Sequence, residues 1–344
     1  MTRIGSVDVF RIIAILSVIV IHTAPFKSEV FNGSSGDDFL YYLFNQLARF
    51  AVPFFFIISG YFWGVKIRSG SPVVNLSVNM SKRIFIILSA WCLIYLLPLN
   101  LGAFYEFGLL GPMKDTYWNI IYLMNNPLDL LFQGTSVHLW YLISTLNAIF
   151  IACILIYFNQ IKLLVFLSIL LYIFGVVANA YVGTPLGIKF EFDTRNGPFF
   201  STLFFVLGYL ISGKIVSRSW LIKGFLVFIF GCLLHASEAY CLWENYNITP
   251  VHDYVFGTLF MGLGVALMAL SNHPYLNNKY LGSIGRFTLG IYAVHYLFVD
   301  IFHPLGALFD LPCWDGVYIL LVFVFSWAVV TTFSKNKKLK KIVM

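Results

Sequence analysis

Arg11 and His22 stand eleven residues apart in the first apolar stretch of the chain, with Asp8 three residues before the arginine. Eleven helical residues make three turns plus about 20°, so Arg11 and His22 share one face about 16 Å apart along the axis, with Asp8 one turn below Arg11. The residues between, Ile12 to Ile21, are aliphatic except for Ser17. A guanidinium stays charged and offers a planar fork to anions, whereas an imidazole titrates near 6.5 and can take a proton and give it back. A lone histidine in an apolar helix can also be satisfied by a backbone carbonyl. Here it repeats, on the same face, the costly choice already made with Arg11, which favours function.

Further candidates lie along the chain. Ser59-Gly60 ends an aromatic run, where a hydroxyl or a closely approached backbone N–H can stabilise an oxyanion; helix packing through small residues is the competing reading. Lys82-Arg83 and Arg286 offer cations, while His138, Trp140, Arg195 and His295 are polar or aromatic groups at or within apolar runs. Trp140 is equally an interfacial belt residue, and Arg195 can pair with Glu191 or Asp193. His235 and Glu238, like Asp300 and His303, are spaced i, i+3 but lack a third ligand, so no metal is expected. Cys92, Cys153, Cys232, Cys241 and Cys313 form no C-x-x-C pair and read as core residues.

The elements that must position these groups are membrane helices. Of 344 residues, 60% are hydrophobic, 19% aromatic and only 11% charged, and the mean hydropathy is +0.84. Soluble domains average about a quarter charged residues, so an ordinary globular, disordered or disulfide-stapled secreted protein is excluded. Apolar runs fall at about 6–26, 40–64, 83–101, 138–157, 162–181, 196–213, 219–241, 252–271, 283–303 and 314–333. The expectation is an all-α integral membrane protein of about ten transmembrane helices with both termini cytoplasmic, in one domain over 1–344 ending in a basic tail, 334–344. The first run lacks a small-residue cleavage site and reads as a retained span. With that topology sixteen of the 22 basic residues face the inner side, four (Lys27, Lys114, Lys189, Arg195) the outer, and Arg11 and Arg49 sit within spans. Fourteen of fifteen acids fall at or near the outer side: Glu29, Asp37, Asp38, Glu106, Asp115, Asp129, Glu191, Asp193, Glu238, Glu244, Asp253, Asp300, Asp310 and Asp315. A basic inner mouth suits an anionic cytoplasmic ligand; simple charge complementarity is the alternative. Residues 102–137 read as a broken amphipathic or re-entrant piece at the outer interface. There is no internal repeat of fixed period.

Arg-x10-His after Asp-x-x-Arg resembles the acyltransferase 3 family of polytopic membrane acyltransferases. In family order follow Pro53-Phe54-Phe55-Phe56-Ile57-Ile58-Ser59-Gly60-Tyr61, Lys82-Arg83, His138-Leu139-Trp140-Tyr141-Leu142, Arg195-Asn196-Gly197-Pro198-Phe199-Phe200 with Phe205-Val206-Leu207-Gly208-Tyr209, and Leu289-Gly290-Ile291-Tyr292 with His295. The resemblance implies transfer of an acyl group, usually acetyl from acetyl-CoA, to a hydroxyl of a cell-envelope polysaccharide or lipid-linked glycan of the O-antigen or enterobacterial common antigen type, in a bacterial inner membrane. On that reading His22 is the general base, Arg11 an orienting or CoA-binding cation, Asp8 its partner and Ser59 an oxyanion donor. Arg11, Lys82, Arg83 and Arg286 bind CoA phosphates, with Lys66 and Arg68 nearby, and His138, Trp140, Arg195 and His295 serve the acceptor. Direct transfer and an acetyl-histidine intermediate are both compatible with these residues. A transporter or flippase of envelope sugars is the alternative. The partners expected are acetyl-CoA, the glycan and the bilayer, with no nucleic acid.

Overall fold

The computed structural model describes residues 3–27, 38–306 and 313–344, and among them there is no strand. Glu29, Asp37 and Asp310, and the side chains of Asp38, Glu106 and Lys279, lie outside the described residues.

Among the described residues six helical stretches are long and apolar enough to cross a membrane. They are α1 (Gly5–Thr23), the near-continuous Phe39–Arg68 made of α2 (Asp38–Leu47), a 3-10 turn at Ala48–Phe50 and α3 (Ala51–Arg68), α4 (Val73–Ile94), the stretch Val137–Tyr157 containing α8 (Trp140–Tyr157), α11 (Trp220–Tyr246) and α15 (Trp314–Lys335). Four apolar helices are shorter: α9 (Ile161–Val177), α10 (Pro198–Ile211), α12 (Phe256–Leu270) and α14 (Thr288–Phe302). Each of these ten overlaps one of the ten apolar runs, some trimmed by caps and turns, while α3 and α11 run a few residues further and α4 begins ten residues before its run. At the head of α12, for instance, Glu238 accepts from the Phe256 and Gly257 N–H groups (3.1 and 2.6 Å), satisfying two orphan donors of the first turn. The interface piece forms α5 (Leu101–Phe107), α6 (Leu110–Asn125) and α7 (Pro127–Phe132), and the short α13 (Lys279–Gly285) precedes α14.

The packing is inside-out relative to a soluble protein. On α11 the buried positions are Gly224, Gly231, His235, Ala239 and Leu242, whereas Ile222, Phe225, Leu226, Phe230 and Leu233 are exposed. Small residues face the neighbours and large apolar ones face outward, as expected of a helix in lipid. Gly60 and Gly208 are among the tightest such points: a Cβ at Gly60 would strike the Phe205 carbonyl, and one at Gly208 would strike the Ile57 carbonyl. The two glycines thus let α3 and α10 touch backbone to backbone, which accounts for the glycine of Ser59-Gly60 as a packing residue.

The basic tail does not hang free. Trp91 Nε1 donates to the Ile342 carbonyl (2.8 Å) and Val343 is buried, while the tail lysines remain exposed.

Candidate active site

The α1 face forms as its spacing requires. Asp8, 4% exposed, accepts from Arg3 Nε (2.5 Å) and Arg11 Nη1 (3.0 Å). Gly285 allows α13 to approach the Asp8 backbone so closely that any side chain there would collide. That contact brings Arg286, the residue after α13, beside α1. Arg11, Lys66, Arg83 and Arg286 line one cavity of about 510 Å³, with Ser59 and Tyr292 in its wall. No carboxylate lines it among the described residues. Arg11 is paired with Asp8, but Lys66, Arg83 and Arg286 have no carboxylate partner among the described residues; this excess of positive charge favours a polyanion, and the volume suits a ligand of cofactor size. Lys82 is exposed and does not line the cavity. Ser59 sits in mid-helix, where backbone N–H groups are committed to carbonyls four residues back, so its hydroxyl, hydrogen-bonded with Tyr141, rather than the backbone is the polar group it presents.

About three turns along α1, His22 meets two histidines from distant segments. Ring centroids are 5.3 Å apart for His22 and His295, 6.5 Å for His22 and His138, and 5.1 Å for His138 and His295. His138 and His295 are fully buried. His138 Nδ1 faces Ser136 Oγ (3.1 Å) and its Nε2 faces the Ala293 carbonyl (3.3 Å). His295 Nδ1 lies 2.6 Å from the Tyr292 carbonyl. Tyr292, which also lines the cation cavity, donates to the His138 carbonyl. Among the described residues no group of histidines, cysteines and carboxylates is arranged to hold a metal.

Beyond the histidines lies a second cavity of about 420 Å³. Tyr95 and Tyr296, whose rings contact His138 at 4.9 and 5.0 Å, form its near wall. Asn100, Asp115, Asn119 and Asp300 add polar groups, and no lysine or arginine lines it among the described residues. Sequence reasoning placed Asp115 and Asp300 outside but did not connect them; the signal was Asp300 within an apolar run and polar Asn100, Asp115 and Asn119 in the interface piece.

Arg195 and Trp140 lie elsewhere than on an open acceptor surface. Trp140 is buried against Phe56 and Phe200, with the Arg195 guanidinium 5.2 Å over its ring. Arg195 bonds Asp253 (2.9 Å) and Asp193 (3.1 Å), and Asp253 also takes Arg49 (2.6 Å), whose remaining donors reach Asn45 Oδ1. This network explains Arg49, for which the sequence offered no partner. Burial pushes the Asp253 carboxyl up, but Arg195 and Arg49 together outweigh it and hold the group at about 2. In the same loop, burial and then Arg49 push His252 down to about 4.

An all-helical, apolar-surfaced protein with a cation-lined cavity leading to a histidine cluster is a polytopic membrane protein built around a buried polar centre. The chain belongs to the acyltransferase 3 family, whose acyltransferase domain matches residues 4–332. It is 30% identical over 341 residues to an "Amino-acid racemase" of Enterococcus faecalis, covering 94% of this chain and 45% of that protein. It is 25% identical over 356 residues to a "Serine/alanine racemase" of Enterococcus gallinarum, covering 96% and 46%. The chain therefore spans about half the length of these curated relatives. No solved structure matches it.

Proposed function

We propose that the protein is an inner-membrane O-acetyltransferase that takes acetyl from cytoplasmic acetyl-CoA and delivers it to a hydroxyl of an envelope polysaccharide or lipid-linked glycan. In this reading ten helices span the bilayer, both termini are cytoplasmic, and the cation cavity opens inward. The observation that carries it is the continuity from the four cations, past Tyr292, to His22 on the α1 face begun by Arg11.

Arg11, Lys66, Arg83 and Arg286 hold the phosphates of the donor, with charge-assisted hydrogen bonds for which guanidinium is well shaped. Asp8 fixes Arg11 from below. The donor supplies the acyl group as a thioester. His22 takes the proton of the acceptor hydroxyl as that oxygen attacks the acyl carbon, and the Ser59 hydroxyl offers a hydrogen bond to the developing oxyanion. The second cavity receives the acceptor: tyrosines, amides and carboxylates match a polyhydroxyl surface, and the absence of lining cations suits a group that is not anionic. Arg195 and Trp140 act by holding the outer loops rather than by contacting the glycan. The racemase activity named for the relatives belongs to proteins about twice as long and carries no assignment here.

Purified protein in nanodiscs, given radiolabelled acetyl-CoA and envelope glycan, should label the glycan. His22→Ala should lower the rate at least about 10²-fold, the lower bound for a general acid–base group, without loss of expression. Full activity of His22→Ala refutes the assignment. Movement of unmodified sugar without acetyl-CoA would instead establish the transporter alternative.

A further inference from the structure

His295 differs from its neighbours in what its ring nitrogens do. A carbonyl oxygen can only accept, so the 2.6 Å contact with the Tyr292 carbonyl requires the ring proton on Nδ1. Nε2 is then a bare lone pair. It is buried and has no hydrogen-bond partner. His138, by the same logic, is fully occupied: Nε2 donates to the Ala293 carbonyl, and Nδ1 accepts from the Ser136 hydroxyl. Leaving a buried acceptor unpaired costs about 1–3 kcal/mol, so an open basic nitrogen on a fully buried ring calls for a use.

The ring is also held still. Tyr95 OH donates to the Ala293 carbonyl (2.9 Å) and accepts from the Leu297 N–H (3.2 Å), bracing the turn of α14 that bears His295. His138 Nε2 reaches the same Ala293 carbonyl, and Tyr292 ties that turn to the His138 backbone. The His295 and His22 rings lie 5.3 Å apart between centroids, tilted by 50° and not hydrogen-bonded to each other, so that a turn of the otherwise unbonded His22 ring is what would bring a nitrogen to His295 Nε2. A titratable ring without a fixed proton thus stands beside one whose tautomer is set and whose lone pair is free.

We propose that His295 is the proton-relay partner of His22, holding at Nε2 the proton displaced during transfer. This rests on the acetyltransferase reading above. His22 takes the hydroxyl proton at one nitrogen as the new ester C–O bond forms, and the proton on its other nitrogen passes to His295 Nε2. When the C–S bond breaks, the electron pair leaves with sulfur. His295 returns its proton through His22 to the thiolate, giving the ester and free thiol with both histidines neutral again. His295 is accordingly a positioning residue for the proton, since it acts through His22 and not on the substrates.

The tests use the full chain in nanodiscs with acetyl-CoA as donor. His295→Asn keeps an N–H donor for the Tyr292 carbonyl and removes Nε2. Its kcat should fall about 10²-fold with KM for acetyl-CoA unchanged and an unaltered thermal midpoint. Wild-type single turnovers in H2O/D2O mixtures should show a curved rate dependence on deuterium fraction, as expected when two protons move together. A wild-type kcat in His295→Asn overturns the relay, and so does a linear isotope dependence in the wild-type protein, which needs no variant to fold. Absence of any transfer by the wild-type protein would defeat the acetyltransferase reading itself, an outcome distinct from either.

Discussion

Replacing Asp253 by asparagine tests the buried charge network with little change of shape. Asp253 serves two guanidiniums, Arg49 at 2.6 Å and Arg195 at 2.9 Å. After the change Arg195 still has Asp193 at 3.1 Å, but Arg49 retains only neutral acceptors, the Asn45 oxygen at 2.7 and 3.1 Å and the amide oxygen of the new side chain. One guanidinium, with a side chain 11% exposed, is left without a counter-charge. Breaking a buried pair costs about 3–5 kcal/mol, and the 25% exposure of the Asp253 side chain places this case at the lower end, about 3 kcal/mol. That corresponds to roughly a 10²-fold shift toward the unfolded state. Denaturant titration of the protein in nanodiscs, followed by tryptophan fluorescence, measures it. Removing both charges, as Arg49→Gln with Asp253→Asn, should cost less than the sum of the single changes by about 1–2 kcal/mol, because the orphaned charge is gone. Stability of Asp253→Asn within about 0.5 kcal/mol of wild type, or strict additivity of the pair, would refute the argument. The Asp253 pairs should also resist acid, unlike Asp193, whose carboxyl is pushed up by burial. A carboxyl held at about 2 stabilises the fold above its unfolded value near 3.9, and that contribution disappears only as pH falls through about 2.

His252 has the opposite practical consequence. Its proton affinity is depressed to about 4, so an unfolded chain binds protons first as pH falls from 6.5; stability should decline between about 6.5 and 4, by at most about 3 kcal/mol, and His252→Asn should flatten that slope in thermal melts. Arg83→Gln and Arg286→Gln should each raise KM for acetyl-CoA by about tenfold, the weight of one charge-assisted hydrogen bond, with little change in kcat; an unchanged KM would remove that cation from the donor site. Gly60→Ala should destabilise by about 1–3 kcal/mol through overpacking against the Phe205 carbonyl, measured by the same denaturant titration, and a neutral effect would show that α3 and α10 can separate at no cost.

Local features were legible in the sequence because they depend on spacing alone. The shared face of Asp8 and Arg11 on α1 and the ten apolar runs are near-neighbour patterns, and each has its counterpart in a helix of the structure. What joins elements was not legible. His22, His138 and His295 come together only after α1, α8 and α14 pack, and nothing in a periodicity tells that His138 turns inward at the start of α8. Arg49 found no partner for the same reason: Asp253 is 204 residues away. Trp140 read as a platform for sugars because tryptophan at a span end has two uses; its face is taken by Arg195, a cation recruited from a loop outside the local pattern. Lys82 and Arg83 could not be separated by composition, yet one step of 100° along α4 puts Arg83 on the cavity wall and Lys82 in the open.

The order of charges through the molecule bears on which parts of a substrate can travel. Among the described residues the first cavity has four cations and no lining carboxylate, the second has Asp115 and Asp300 and no lining cation, and rings of histidine and tyrosine lie between. A polyanion bound among Arg11, Lys66, Arg83 and Arg286 gains electrostatically by staying there, and would meet only repulsion on the far side. An uncharged acyl end is under no such restraint and can extend along the aliphatic stretch of α1 toward His22. A carrier for the same anion would need cations on both sides of the barrier or a path that changes sign as it opens. The charge order is the one that the proposed acetyltransferase requires, in which the charged end of a donor stays among the cations while its neutral end reaches an acceptor.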